Sequence, residues 1–434
     1  MTVRSEQLPI KVSGCRERTG PLTYGQAYIW NSIRGLALED QHNLVMSFPL
    51  DEPVDRADVT TALSRLLAAH ESLRTTLCPA GTGLPEQSVA GDGVLPLDLV
   101  EADGERPPDA AEARRILRGA GFDHAHEWPI RAGVLCVAGR PRWLVLTISH
   151  LATDASGARL LRRHLTSLLD GGQDAGGIDL TCRQPLDQAA HERSSEGERR
   201  ARRALDHWQR QLEEFPLFDR PALAPEQPRF WQGMLISDAV AEAAPAIARR
   251  TGTSVYSVLL AAVTVVLGRR AGRDRYAVGT MCSNRHTAEL KDSVMNLPQR
   301  VLVAVDLGGT FDEVVRRTHV AALNSYRFGM YDPTAARELT AGVARRRMGP
   351  LDVHTTFNAI EPLWHDHERA ELGGTTRTFV WTRKTDTDME RLRFVDFFAP
   401  DRIAMYADTR YYPISEIESC LWEVERTVTE AVTP

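Results

Sequence analysis

The chain has 434 residues, enough for two or three domains of ordinary size. Its 43% apolar and 25% charged residues exclude a disordered, collagen-like or coiled-coil protein. A net charge of −6 excludes the global basic field that drives nucleic-acid binding. Lysine occurs only at Lys11, Lys291 and Lys384, so nearly all positive charge is arginine, a skew that reads as coding composition rather than chemistry.

The opening Met1–Ser13 mixes polar and apolar residues and lacks the basic start and apolar core of a signal peptide. Thr23–Gly35 is predicted to be a helix, with Thr23 as N-cap and Ala27, Trp30 and Ile33 at helical spacing. Asn43–Leu50 alternates like a strand. Asp55–His70 is an amphipathic helix capped by Asp55, with Val59, Leu63, Leu66 and Leu67 on one face. Trp143–Ile148 reads as a buried strand, and a helix follows over Ser156–Leu169. Gly171–Gly177 reads as a loop.

The charged stretch Glu192–Glu214 is expected to be an exposed helix with Leu205, Trp208 and Leu212 buried, and to connect two halves. The second half repeats the rhythm of the first. Val240–Leu267 is helical with a break at Thr251–Gly252, Tyr276–Thr280 and Arg300–Val305 are strands, and Phe311–Tyr326 is a helix. Asp352–Ile360 is a strand and Ile414–Val432 a final helix. Strands and helices without βαβ regularity point to an α+β or α/β protein with a mixed sheet. The longest apolar run, Val255–Leu267, is too short to span a bilayer. The six cysteines (Cys15, Cys78, Cys136, Cys182, Cys282, Cys420) are scattered singly, without the C-x-x-C spacing of a zinc or redox site. The expectation is a cytoplasmic protein with reduced thiols.

The chemistry concentrates where the buried strand ends, at Ser149-His150-Leu151-Ala152-Thr153-Asp154-Ala155. A histidine at the end of a rigid strand is well placed for proton transfer. Asp154 is expected to orient the loop by pairing with an arginine.

This segment resembles the HHxxxDG signature of the condensation-domain superfamily of nonribosomal peptide synthetases. Seven further stretches match in order. Leu22–Trp30 is similar to the opening "LTxxQxxxW" helix, and His70–Thr75 reproduces "HExLRT". Phe122-Asp123 with Pro129–Ala132 resembles "FD…PLxRA", and His207-Trp208 resembles the "YWxxxL" linker helix. Gly279-Thr280 with Asn284-Arg285 and Glu289-Leu290 is similar to "GxPxxxRxxxEL". Asn296–Pro298 with Arg300-Val301 approximates "NTLPLRV", and Val353–Asn358 approximates "VxFN".

The resemblance implies two chloramphenicol-acetyltransferase-like halves in a V around a central tunnel, here divided as 1–185, carrying the motif, and 186–434. It implies a freestanding acyltransferase of cytoplasmic natural-product (antibiotic) biosynthesis. It further implies His150 as the catalytic residue, with Ser149, Ala155 and a structural Asp154 in support, Asp154 being salt-bridged to an arginine for which Arg74 and Arg285 are the candidates. Gly157 and Asn358 are tunnel-lining positions. The donor would be a thioester on the phosphopantetheine arm of a partner acyl or peptidyl carrier protein, and the acceptor a small amine or hydroxyl. No metal or resident cofactor, nucleic acid or membrane is expected, and the protein is expected to be a monomer. Backbone N–H groups just after Asp154 could stabilise the oxyanion.

Two positions depart from the signature: Ser149 replaces its first His, and Ala155 its Gly. They open two alternatives, an inactive condensation-like domain that recruits a biosynthetic partner and a CoA-dependent O-acyltransferase. Leu307–Thr310 and Leu372–Thr375 are similar to the carrier-protein "LGGxS" but lack its serine, and read as turns. His124 with His126, and His365-Asp366-His367, read as exposed loop histidines rather than metal ligands. His70 reads as a packing or capping residue. Arg345–Arg347 reads as a solvated face that could also meet an acidic carrier.

Overall fold

A computed structural model describes residues 4–36, 41, 43–50, 54–79, 81, 83–102, 108–117, 119–170, 182–359, 377–387, 393–399 and 401–432. Two compact units emerge. One comprises Met1–Gly197 with Arg285–Leu297, and the other Glu198–Asn284 with Pro298–Pro434. A segment from the second half of the chain therefore belongs to the first unit.

The first unit contains β1 (Arg4–Val12), β2 (Arg18–Pro21), α1 (Tyr24–Ile33), β3 (Asn43–Pro49), α2 (Arg56–Ala69), β4 (Thr75–Cys78) and β5 (Glu86–Val89). Then come β6 (Gly93–Glu101), α3 (Ala110–Leu117), β7 (Ile130–Val137), β8 (Arg140–Ser149), α4 (Ala155–Leu169) and α5 (Pro185–Glu192). The main sheet runs β1-β6-β7-β8-β3, with a small sheet β2-β5-β4. Thr23 caps α1 and Asp55 caps α2, each through a reciprocal capping box that satisfies free first-turn N–H groups. Ala138 and Gly139 both have positive φ, which gives the β7–β8 hairpin the twist of its strands. Leu144–Ser149 is buried at every residue, so β8 is covered on both faces and its apolar run is continuous. The N-terminal stretch, given no element above, is the edge strand β1.

The second unit contains most of α6 (Ser195–Glu214), then β9 (Phe230–Ser237), α7 (Asp238–Thr251), α8 (Val255–Arg270), β10 (Arg275–Cys282) and β11 (Gln299–Asp306). It adds β12 (Thr355–Ala359), β13 (Arg377–Thr385), β14 (Arg393–Ala399), β15 (Arg402–Asp408) and helices Phe311–Tyr326, Pro333–Arg346 and Ile414–Glu430. Its mixed sheet runs β11-β10-β12-β14-β15-β9-β13, with β12 parallel to β10 and β14. Gly252 in the left-handed conformation separates α7 from α8, the expected break. The apolar run is α8, buried from Ser257 to Gly268, and it packs with α7 and the helices Phe311–Tyr326 and Ile414–Glu430 on one sheet face. Trp208 and Leu212 of α6 pack with Phe215, Tyr331 and Val343 against Ala277 and Leu302. Among the described residues no single helix is long and apolar enough to cross a membrane.

Candidate active site at the end of a buried strand

Strand β8 delivers its last residue, Ser149, into a turn closed by the Ala152 N–H on the Ser149 carbonyl at 2.9 Å. His150 is the second residue of that turn and is half-buried. Its Nδ1 lies 2.8 Å from the Thr153 carbonyl. A carbonyl only accepts, so this contact favours, for the neutral ring, the hydrogen on Nδ1 and the lone pair on Nε2. Asn296 donates from Nδ2 to the His150 carbonyl at 2.8 Å and passes 3.1 Å from Nδ1. The ring of His150 is thus held by a residue three positions on and its backbone by one 146 positions away.

Asp154 is the hub beneath. It caps α4 by accepting the Gly157 N–H at 2.8 Å. Arg285 Nη2 donates to both carboxylate oxygens at 2.8 and 2.9 Å, and the Leu297 N–H adds a bond at 3.2 Å. The side chains are only 7% and 2% exposed, for Arg285 and Asp154 respectively. A buried ion pair persists when its remaining donors are satisfied. Arg285 meets that condition in part: Nη1 donates to the carbonyls of Leu290 and Ser293 at 2.7 and 2.8 Å, while its buried Nε has no partner among the described residues. Of the two candidate arginines the partner is therefore Arg285. Arg74 is buried elsewhere, donating to the Leu67 carbonyl at 2.7 Å and to the Ala90 carbonyl.

Two glycines permit this closeness. A Cβ on Gly25 in α1 would overlap the Asn296 carbonyl and reach 2.8 Å from Leu297 Cα. A Cβ on Gly157 would overlap Thr153 Oγ1. The Gly157 N–H is spent on Asp154, which removes it from the expected oxyanion donors. Ala155 opens α4.

Ser149 is 1% exposed, and its Oγ lies 2.7 Å from Nε2 of His124. His124 is thus not an exposed loop residue: it is 6% exposed, framed by Trp30 and Phe122. His126 does stand in solvent, paired with Asp123 at 2.9 Å, so the two rings do not converge on a shared ligand site. Among the described residues no cluster of metal-ligating side chains occurs. His70 is fully buried against His164, Nε2 to Nδ1 at 3.1 Å, and burial pushes its imidazole down to about 3.

Asn358 lies in the second unit, on β12, in register with Asp396 of β14. Burial pushes the Asp396 carboxyl up to about 7, against a hydrogen bond from Asn358. In the Arg345–Arg347 run, Arg347 caps the end of α6 through the Phe215 and Leu212 carbonyls, Arg346 reaches Glu213 at 3.6 Å, and Arg345 is exposed. Leu307–Thr310 is the turn that N-caps the helix Phe311–Tyr326. Gly171–Gly177, His365–His367 and Leu372–Thr375 lie outside the described residues. Thr153, Asn296 and His124 complete the site. Asn296 carried a motif signal, while Thr153 and His124 carried none that pointed here.

The family model for the condensation domain matches residues 17–332. Phosphinothricin tripeptide synthetase PhsB of Streptomyces viridochromogenes is 27% identical over 322 residues, covering 71% of this chain and 27% of the relative. The chain spans about a quarter or less of the curated relatives it matches. The structure of SgcC5 from Streptomyces globisporus superposes with a TM-score of 0.72 at 18% identity, over 95% of this chain and 98% of that one. The X-domain from teicoplanin biosynthesis, solved in complex with OxyB, gives a TM-score of 0.69 at 19% identity, over 95% and 93%. At these identities the two structures speak for the fold.

Proposed function

The chain belongs to the condensation-domain family, and on that premise we propose that it is an acyltransferase of nonribosomal-peptide or related natural-product biosynthesis. It joins an acyl or aminoacyl thioester on the phosphopantetheine arm of a partner carrier protein to an amine or hydroxyl acceptor. The observation that supports this reading best is the 2.8 Å contact of His150 Nδ1 with the Thr153 carbonyl, which in the neutral ring leaves Nε2 as the acceptor.

The acceptor nitrogen or oxygen attacks the thioester carbon while Nε2 takes its proton. The tetrahedral intermediate then expels the thiolate, which recovers that proton from Nε2–H. The new amide or ester and a free thiol account for every atom. Asp154 and Arg285 take no proton in this scheme. They hold α4 and the segment bearing Asn296 in place, so the rate rests on orientation as well as proton transfer.

His150→Ala, assayed with a carrier-loaded donor, is expected to lower product formation by about 10²–10⁴-fold with the fold intact. Turnover within about threefold of the native rate would overturn the role of His150.

A second reading, a recruiting domain without turnover, draws on the replaced residues Ser149 and Ala155 and on the X-domain bound to OxyB. It predicts partner binding that His150→Ala leaves unchanged, and no product from any donor. Activity with free acyl-CoA and no carrier would instead mark a CoA-dependent O-acyltransferase.

A further inference from the structure

The turn that aims His150 is tied down by a side chain. Leu151 donates its N–H to Ser149 Oγ at 3.2 Å, while the Ala152 N–H bonds the Ser149 carbonyl. A hydroxyl that accepts from two residues ahead locks such a turn locally. The same Oγ lies 2.7 Å from His124 Nε2, across 25 residues of sequence, in a bond whose proton can sit on either atom.

His124 is itself anchored on several sides. Its carbonyl accepts the Leu77 N–H at 2.6 Å, and Trp30 meets its ring edge-on at 6.0 Å between centroids. Phe122 lies at 6.1 Å. The start of the turn is held by the Ser149 N–H on the Pro129 carbonyl at 2.9 Å. Burial lowers the pKa of His124, which favours the neutral hydrogen-bonding ring. Burying an imidazole costs free energy unless a bond offsets it, and the bond made here is to the residue preceding His150.

We propose that His124 and Ser149 are a positioning pair that fixes the turn and so sets the direction of His150 Nε2. The pair does not touch substrate. It acts through the turn, as the Thr153 carbonyl acts through the ring. The inference rests on His150 being the working base, but its test reads the ring itself.

Hydrogen–deuterium exchange at histidine C2, followed by mass spectrometry on the full chain without substrate, reports each imidazole separately. Ser149→Ala and His124→Phe are each expected to change the His150 exchange rate at about pH 8 by about threefold or more. Ser149→Thr keeps the hydroxyl and is expected to keep the native rate. The double variant Ser149→Ala with His124→Phe is expected to match the single variants rather than multiply them. A native His150 rate in Ser149→Ala, or effects that multiply in the double variant, would overturn the proposal. Should His124→Phe fail to fold, the contrast between Ser149→Ala and Ser149→Thr decides alone. Loss of turnover in His150→Ala is scored separately, so failure of the catalytic reading and failure of the pair are distinct results.

Discussion

Replacing Asp154 by alanine withdraws the acceptor on which the Arg285 guanidinium and two backbone N–H groups converge. Breaking one side of a buried ion pair costs about 3–5 kcal/mol. Arg285 would retain the Leu290 and Ser293 carbonyls and the Met295 carbonyl at 3.2 Å, which places the loss near the lower end, about 3 kcal/mol. Losing the N-cap of α4 adds about 1 kcal/mol, for about 4 kcal/mol in all. In a unit of this size that corresponds to a Tm lowered by about 8–16 °C. Scanning calorimetry of the full chain measures it, and Arg285→Met completes a double-mutant cycle with an expected coupling of about 1.5 kcal/mol or more. A loss below about 1 kcal/mol, or a coupling near zero, would refute the view of Asp154 as the hub of this unit.

Gly25→Ala is expected to destabilise the first unit by about 2–3 kcal/mol, because its Cβ would meet backbone rather than a yielding side chain; an unchanged Tm would contradict the packing. His70 titrates near 3 when folded and near 6.5 when free, so the unfolded chain alone takes up a proton as pH falls below 6.5. Stability is intact above 6.5 and falls by up to about 1.4 kcal/mol per pH unit below it, and His70→Gln is expected to flatten that slope in urea unfolding between about pH 5 and 6.5. Asp396 runs the other way. Its folded carboxyl titrates near 7 against 3.8, so its stabilising contribution is full below 3.8 and lost as pH rises through 7. Asp396→Asn is expected to raise Tm at about pH 8 and not at about pH 3.5, and equal shifts at both would contradict its burial.

The legible parts of this chain were the local ones. Thr23 and Asp55 announce their helices because a cap needs only neighbours three residues away. The apolar run of α8 and the break at Gly252 are likewise self-contained. His150 was visible because a buried strand runs straight into it. Strand β1 was overlooked although Leu8, Ile10 and Val12 alternate, since Pro9 and the polar start disguise an edge strand that pairs with β6 alone. The choice between Arg74 and Arg285 could not be read locally, because the chosen partner lies 131 residues from Asp154. His124 was misjudged for the same reason. A histidine in a polar loop looks exposed until the strand end it bonds is placed beside it.

The membership of Arg285–Leu297 in the first unit bears on how this protein could be cut or recombined. A fragment ending at Gly197 would carry His150 and Asp154 but neither the arginine nor the asparagine that hold them, and Gly25 would face an empty seat. A chimera that exchanges halves at the middle of the sequence would mate one parent's His150 turn with the other parent's support. Thirteen residues far downstream must therefore travel with the first two hundred, and the unit of inheritance for this site is discontinuous in sequence though single in space.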